Sequence, residues 1–260
     1  MRRSSRIGWV ILGLWVTSWL YVTRYAMLDD ALIHLRYASF LQQVHFITYD
    51  GVHPNYGTSS LLYVCLLALL RNLTTAAMLS KEVSVFFYLL LVVLLSRICS
   101  GVRSRGSRVI LGSLLFAVVS PMGVRWLNDG METSLVVLAA VQLARLVQRG
   151  QRDPSPSLRA YAMLLLFGVT LVLLRIELAS LAFLASCAMI AGRMDRAQPG
   201  APRTGLVMHG TALAVGAILA TIGVRLVFGH LLPDTALAKV GVPPVMALGM
   251  FEQVIVSSLL

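Results

Sequence analysis

Carboxylates are scarce in this chain: 11 Asp and Glu stand against 22 Lys and Arg in 260 residues. Charge of either sign is thin, at 13% of residues, while 58% are hydrophobic and mean hydropathy is +0.81. A soluble domain carries about 25% charged residues, so that class is excluded. Cysteine is also rare. Cys65, Cys99 and Cys187 lie in or beside apolar runs, and an odd, scattered set excludes a disulfide framework and a cysteine metal site. No internal repeat, linker or soluble domain is visible, so residues 1–260 read as one integral membrane domain. A net charge of +11 is also a feature of nucleic-acid binders. The bases lie in short loops between apolar runs, where they set topology instead, and no nucleic-acid partner is expected.

What the chain does have is apolar length. The runs are Ile7–Thr23, Ser59–Leu70, Val83–Leu95, Val109–Val124, Thr133–Val147, Ala160–Leu174, Leu178–Ala191, Leu206–Phe228 and Val245–Leu260. Ile7–Thr23 follows Arg2, Arg3 and Arg6, but no small-residue cleavage pattern follows it, so it reads as an anchor rather than a signal peptide. A hydrocarbon core needs about 20 helical residues. At about 1.5 Å per residue Ser59–Leu70 reaches only ~18 Å, so it reads as a short helix that does not cross. Ala160–Ile190 would reach ~46 Å as one helix and is interrupted by Arg175 and Glu177, so it reads as a helical hairpin. The fold expected is all-α and polytopic, with about seven to eight transmembrane helices and short juxtamembrane helices in the first outer loop.

Charge tests this layout. With the N-terminus inside, the inner segments hold Arg2, Arg3, Arg6, Arg97, Arg103, Arg105, Arg108, Arg145, Arg149, Arg152, Arg159, Arg193, Arg196 and Arg203. Against them stand only Asp153 and Asp195. That separation is the positive-inside pattern, and it fails if Ser59–Leu70 is counted as a crossing. The polar, non-basic segments then collect outside: residues 24–58, 125–132, the turn at Arg175-Ile176-Glu177, and 230–239. Four loops distant in sequence can therefore converge on one external site.

Asp29 and Asp30 stand just beyond the first span. A carboxylate near lipid is costly and marks function by default. The plain alternative is an N-cap for an amphipathic helix over Ala31–Gln43, but one aspartate suffices for a cap. Adjacent helical residues point about 100° apart, so Asp29 shares a face with Ile33 and Arg36, and Asp30 with His34 and Tyr37. One carboxylate can face a substrate while the other anchors the loop. The stretch His53-Pro54-Asn55-Tyr56-Gly57-Thr58-Ser59-Ser60 is turn chemistry followed by a helix N-cap; His53 and Tyr56 are candidate ligand contacts. Glu132 either suits a helix start or faces a ligand. Arg175 and Glu177 form either a neutralising pair or an anion site. Lys239, after Pro233-Asp234-Thr235, is a cation on the outer side, where cations are few.

In order and spacing these pieces resemble the GT-C class of membrane glycosyltransferases, and within it the arabinofuranosyltransferases that use a polyprenyl-phosphate donor. The residues are Asp29-Asp30-Ala31-Leu32-Ile33 with Arg36-Tyr37, Gly57-Thr58-Ser59, Gly130-Met131-Glu132-Thr133, Arg175-x-Glu177, and Leu232-Pro233-Asp234-Thr235 with Ala238-Lys239. The family often has proline where Ile176 stands. Such enzymes usually run longer, so a shortened member lacking the usual C-terminal part is expected. The resemblance implies an aspartate base, Asp29 or Asp30, and binding roles for Arg36, His53, Tyr56, Glu132, Arg175, Glu177 and Lys239. It implies a polyprenyl-phosphate sugar donor among the membrane lipids, a glycan or protein acceptor, and a site on the periplasmic face of a bacterial inner membrane. No cofactor is expected, although two adjacent carboxylates have the chemistry to hold a divalent metal. The competing class is a transporter or lipid-linked sugar flippase, and a third is a non-catalytic scaffold. Transporters place charge near the membrane midplane and show internal repeats; here the polar motifs gather at one face.

Overall fold

A computed structural model of the chain describes residues 2–26, 29–71, 76–102, 104–152, 157–194 and 203–231. Among these residues every element is helical. In chain order they are α1 (Arg2–Val22), α2 (Asp29–Val44), α3 (Leu61–Leu70), α4 (Ala76–Gly101), α5 (Arg105–Val119), α6 (Pro121–Leu127), α7 (Thr133–Arg152), α8 (Leu158–Leu174), α9 (Leu178–Met194) and α10 (Arg203–Phe228). The all-α class is as expected. The segments at Val245–Leu260 and around Lys239 lie outside the described residues.

Among the described residues, two helices are long and apolar enough to cross a membrane, Met78–Gly101 and Gly210–Phe228, or three if α5 and α6 form one bent span. The apolar pattern predicts seven to eight. Shorter apolar helices cover Val10–Val22, Leu61–Leu70, Leu158–Leu174 and Leu178–Gly192. Large apolar side chains nevertheless face outward, among them Leu14, Phe116, Leu166, Phe183 and Leu226. An outer surface of this kind suits lipid rather than water.

One expected element is broken. Val109–Val124 reads as continuous, but the chain bends by 69° between α5 and α6. Pro121 has no N–H to continue the helix and pushes Ser120 into extended backbone, φ −63° and ψ 157°. The Ser120 hydroxyl then caps α6 by accepting from Gly123 N at 3.0 Å. Gly123 is required there, because a Cβ would sit 2.1 Å from the Ala117 carbonyl oxygen. The hairpin at Arg175-Ile176-Glu177 is present: α8 ends at Leu174 and α9 begins at Leu178. The short helix is present too; its N-cap is Ser60, which makes no side-chain cap bond.

Three apolar clusters hold the helices. Tyr88, Leu91 and Leu95 of α4 pack with Val16 of α1 and Val124 and Leu127 of α6. Tyr37 of α2 packs with Tyr63 and Leu67 of α3 and Leu79 and Val83 of α4. Leu164 and Leu171 of α8, Met189 of α9 and Leu213 of α10 form the third. Between α8 and α10 the backbones nearly touch: a Cβ on Gly168 would lie 2.1 Å from Leu213 O, and one on Gly216 would lie 2.0 Å from Leu165 O. Lipid is as apolar as leucine, so helices in a membrane associate through such close packing.

Candidate functional site

Helix α2 starts at the aspartate pair. Its inner face buries Ala31, His34, Tyr37 and Ala38, while Leu32 and Arg36 lie outside. The 3.6-residue period thus aims His34 and Tyr37 inward, on the side shared with Asp30, which is itself exposed at the helix start. Asp29 belongs to the same first turn.

Glu132 is the hub. It is 1% exposed and sits immediately before α7. Its Oε1 accepts from Arg175 Nη1 at 3.0 Å. Its Oε2 lies 3.1 Å from His34 Nε2, close but off the line of a directed hydrogen bond. His34 Nδ1 meets Thr58 Oγ1 at 2.9 Å, and the ring stands edge-on to Tyr63 at 5.6 Å. Burial by itself would raise the Glu132 carboxyl, but His34 and the Ser60 hydroxyl beside it outweigh that and hold it well below the usual carboxylate range. Arg175 donates from Nε and Nη2 to Glu177, at 3.4 and 3.1 Å. A single chain of polar groups therefore runs Thr58–His34–Glu132–Arg175–Glu177, from the protein interior to the surface.

Tyrosines lock the surrounding loop. Tyr37 OH donates to Asn55 Oδ1 at 2.6 Å and accepts from Gly57 N at 2.8 Å. A Cβ at position 57 would sit 2.3 Å from that hydroxyl oxygen, so glycine there is a matter of space. Tyr63 OH lies 3.0 Å from the carbonyls of both Ser80 and Gly130, and its one proton bonds to either. Tyr56 is 1% exposed and stacks on Phe228 at 4.7 Å, with His230 at 5.9 Å. Burial first, then the nearby Glu177 charge, push its hydroxyl up to about 12.

Of the residues the sequence singles out, Tyr56, Glu132, Arg175 and Glu177 come together. Arg36 and His53 instead serve their own loop. Arg36 Nε donates to Tyr49 O at 3.3 Å, and its guanidinium covers the Phe40 ring at 4.5 Å. His53 Nδ1 is 3.3 Å from Asp50, with 79% of its side chain exposed. Lys239 lies outside the described residues.

The site also holds residues the sequence reading passed over. Lys81 is 5% exposed and donates from Nζ to the carbonyls of Ala26 and Asn128. It thereby ties the chain just before the aspartate pair to the α6–α7 turn. Asp129 is 6% exposed. Burial chiefly pushes its carboxyl up to about 6, while the Met131 N–H and the Lys81 charge pull the other way. The available signal was a lone lysine at the start of an apolar run, and a histidine one turn after Asp30. Among the described residues no group of three His, Cys, Asp or Glu is placed to hold a metal ion.

Comparison with known proteins brings no relative: no family model, no curated protein and no solved structure matches this chain.

Proposed function

We propose that the chain is a polytopic membrane glycosyltransferase of GT-C type, with seven to eight crossings, acting at the outer face. It transfers a sugar, arabinofuranosyl or similar, from a polyprenyl-phosphate donor to an acceptor hydroxyl. One observation carries the reading. Segments from all four polar loops meet at one end of the bundle: Thr58 and Tyr56 of the first, Glu132 of the second, Arg175 and Glu177 of the third, and Phe228 and His230 at the fourth. A cation beside a surface that opens to the exterior suits a phosphate leaving group, whose charge it stabilises as the anomeric bond breaks. Asp29 or Asp30, in the first turn of α2, takes the proton from the acceptor hydroxyl as it attacks the anomeric carbon, and the configuration inverts.

The test uses sugar transfer from polyprenyl-phosphate donors in membranes. Asp29→Asn and Asp30→Asn keep size and capping ability but accept no proton. At least one variant is expected to lose 10²-fold or more in turnover, about 2.7 kcal/mol in barrier, while remaining folded. Near-normal transfer by both would leave the pair as a helix cap.

A further inference from the structure

The two carboxylates on Arg175 are not equivalent. Glu132 is 1% exposed as a side chain and fixed by burial, whereas Glu177 is 58% exposed, and Arg175 between them is 35% exposed. Glu132 engages one guanidinium nitrogen, Nη1, at 3.0 Å. Glu177 engages the other edge, Nε and Nη2, in a two-point contact at 3.4 and 3.1 Å. That fork is the geometry with which a guanidinium grips two oxygens of a carboxylate or a phosphate. The outward edge of Arg175 is thus filled by a carboxylate of the same chain, two residues away and facing solvent.

We propose that Glu177 is a displaceable stand-in for an anionic phosphate ligand on Arg175, while Glu132 is the fixed anchor that aims the guanidinium. Resting on the donor reading for the ligand's source, the proposal assigns opposite roles to two acids on one cation. A phosphate reaching Arg175 replaces Glu177 and leaves the Glu132 contact in place. The Glu177 side chain has room to leave, because its exposed carboxylate regains water. Glu132 has no such exit: releasing it would leave a buried charge with only His34 beside it. Tyr56 feels the Glu177 charge and stacks its ring on Phe228. Without Glu177 the arginine edge would attract phosphate at all times; with it, only a ligand that outcompetes a carboxylate settles there.

The experiment measures binding of undecaprenyl phosphate, and separately of inorganic phosphate, to the whole 260-residue chain in lipid nanodiscs by microscale thermophoresis. Folding is followed by thermal melting on the same samples. Glu177→Gln is expected to tighten binding about fivefold, the upper end of what an exposed ion pair opposes. Glu132→Gln is expected to weaken it by a similar factor, with Arg175→Ala abolishing it. Tightening with the lipid alone assigns the site to a lipid headgroup; tightening with both probes assigns it to free phosphate. Opposite shifts in samples that transfer no sugar support this inference and sink only the transferase reading. The inference is overturned if Glu177→Gln leaves binding unchanged or weaker, or if neither wild type nor Glu177→Gln binds either probe. A purely structural role for the pair predicts lower melting temperatures and no gain in affinity.

Discussion

The α8–α10 contact and the Glu132 cluster are both tightly packed, and they are held by opposite means. Between α8 and α10 nothing polar is needed. Gly168 and Gly216 let the two backbones meet, and the gain is dispersion over a close fit. Around Glu132 side chains make the contacts, by hydrogen bonds between Thr58 and His34 and from Arg175 to Glu132 and Glu177, and by the close approach of His34 to Glu132. At Gly168 and Gly216 it is the addition of an atom that costs. In the second region the reverse holds, since a missing partner strands a buried charge. The apolar region can therefore tolerate variation in what faces lipid. The polar region cannot tolerate loss of a member, and it is also where ligand chemistry is available.

Three tests bear on that contrast. The largest effect is expected from Glu132→Ala, which removes the partner of both His34 and Arg175. Breaking a buried pair from one side typically costs about 3–5 kcal/mol. Unfolding of the purified protein in mixed micelles reads it directly, and a loss below about 1 kcal/mol would show that the cluster is held by its loops instead.

Next come Gly168→Ala and Gly216→Ala. Each adds a methyl where a carbonyl oxygen already sits, so a loss of about 1–3 kcal/mol is expected, with α8 and α10 forced apart. The same change at Gly112, which has nothing within 4 Å of a built Cβ, serves as the control and is expected to be neutral or slightly stabilising. Equal effects at all three positions would erase the distinction between a close crossing and ordinary helix propensity.

The smallest effect concerns pH. The Asp129 carboxyl is pushed up to about 6 in the folded chain from an ordinary value of 3.8, chiefly by burial. A raised carboxyl binds its proton more tightly when folded. Its contribution to stability is complete below pH 3.8 and is lost as pH rises through 6. Wild type is therefore expected to gain about 1 kcal/mol relative to Asp129→Asn on going from pH 7 to pH 5. Parallel melting curves for the two proteins across that range would show that Asp129 is already ionised in its buried place.

Much of the helical layout was legible because the relevant signals are local. Apolar length predicted the short α3 and the hairpin at Arg175-Ile176-Glu177, and the helical period put His34 and Tyr37 on the face of Asp30. Proline chemistry was equally local, yet the break at Ser120–Pro121 was hidden by the apolar residues on both sides. Serine's tendency to cap does not say which of the adjacent Ser59 and Ser60 lies at the boundary, and the fold puts Ser60 there.

The sequence by itself determined that the chain is helical and apolar, that its acids are few, and which segments carry them. Those properties follow from composition and spacing, which act along the chain. Only the tertiary structure decided that Glu132 is a buried hub, with His34 and Arg175 on its two oxygens. Only the tertiary structure placed Lys81 on the carbonyls of Ala26 and Asn128, and turned Arg36 and His53 toward their own loop. The physical reason is that a charged side chain takes the partner that packing brings within about 3 Å in a poorly solvated place, and that partner is set by how helices cross rather than by distance along the chain.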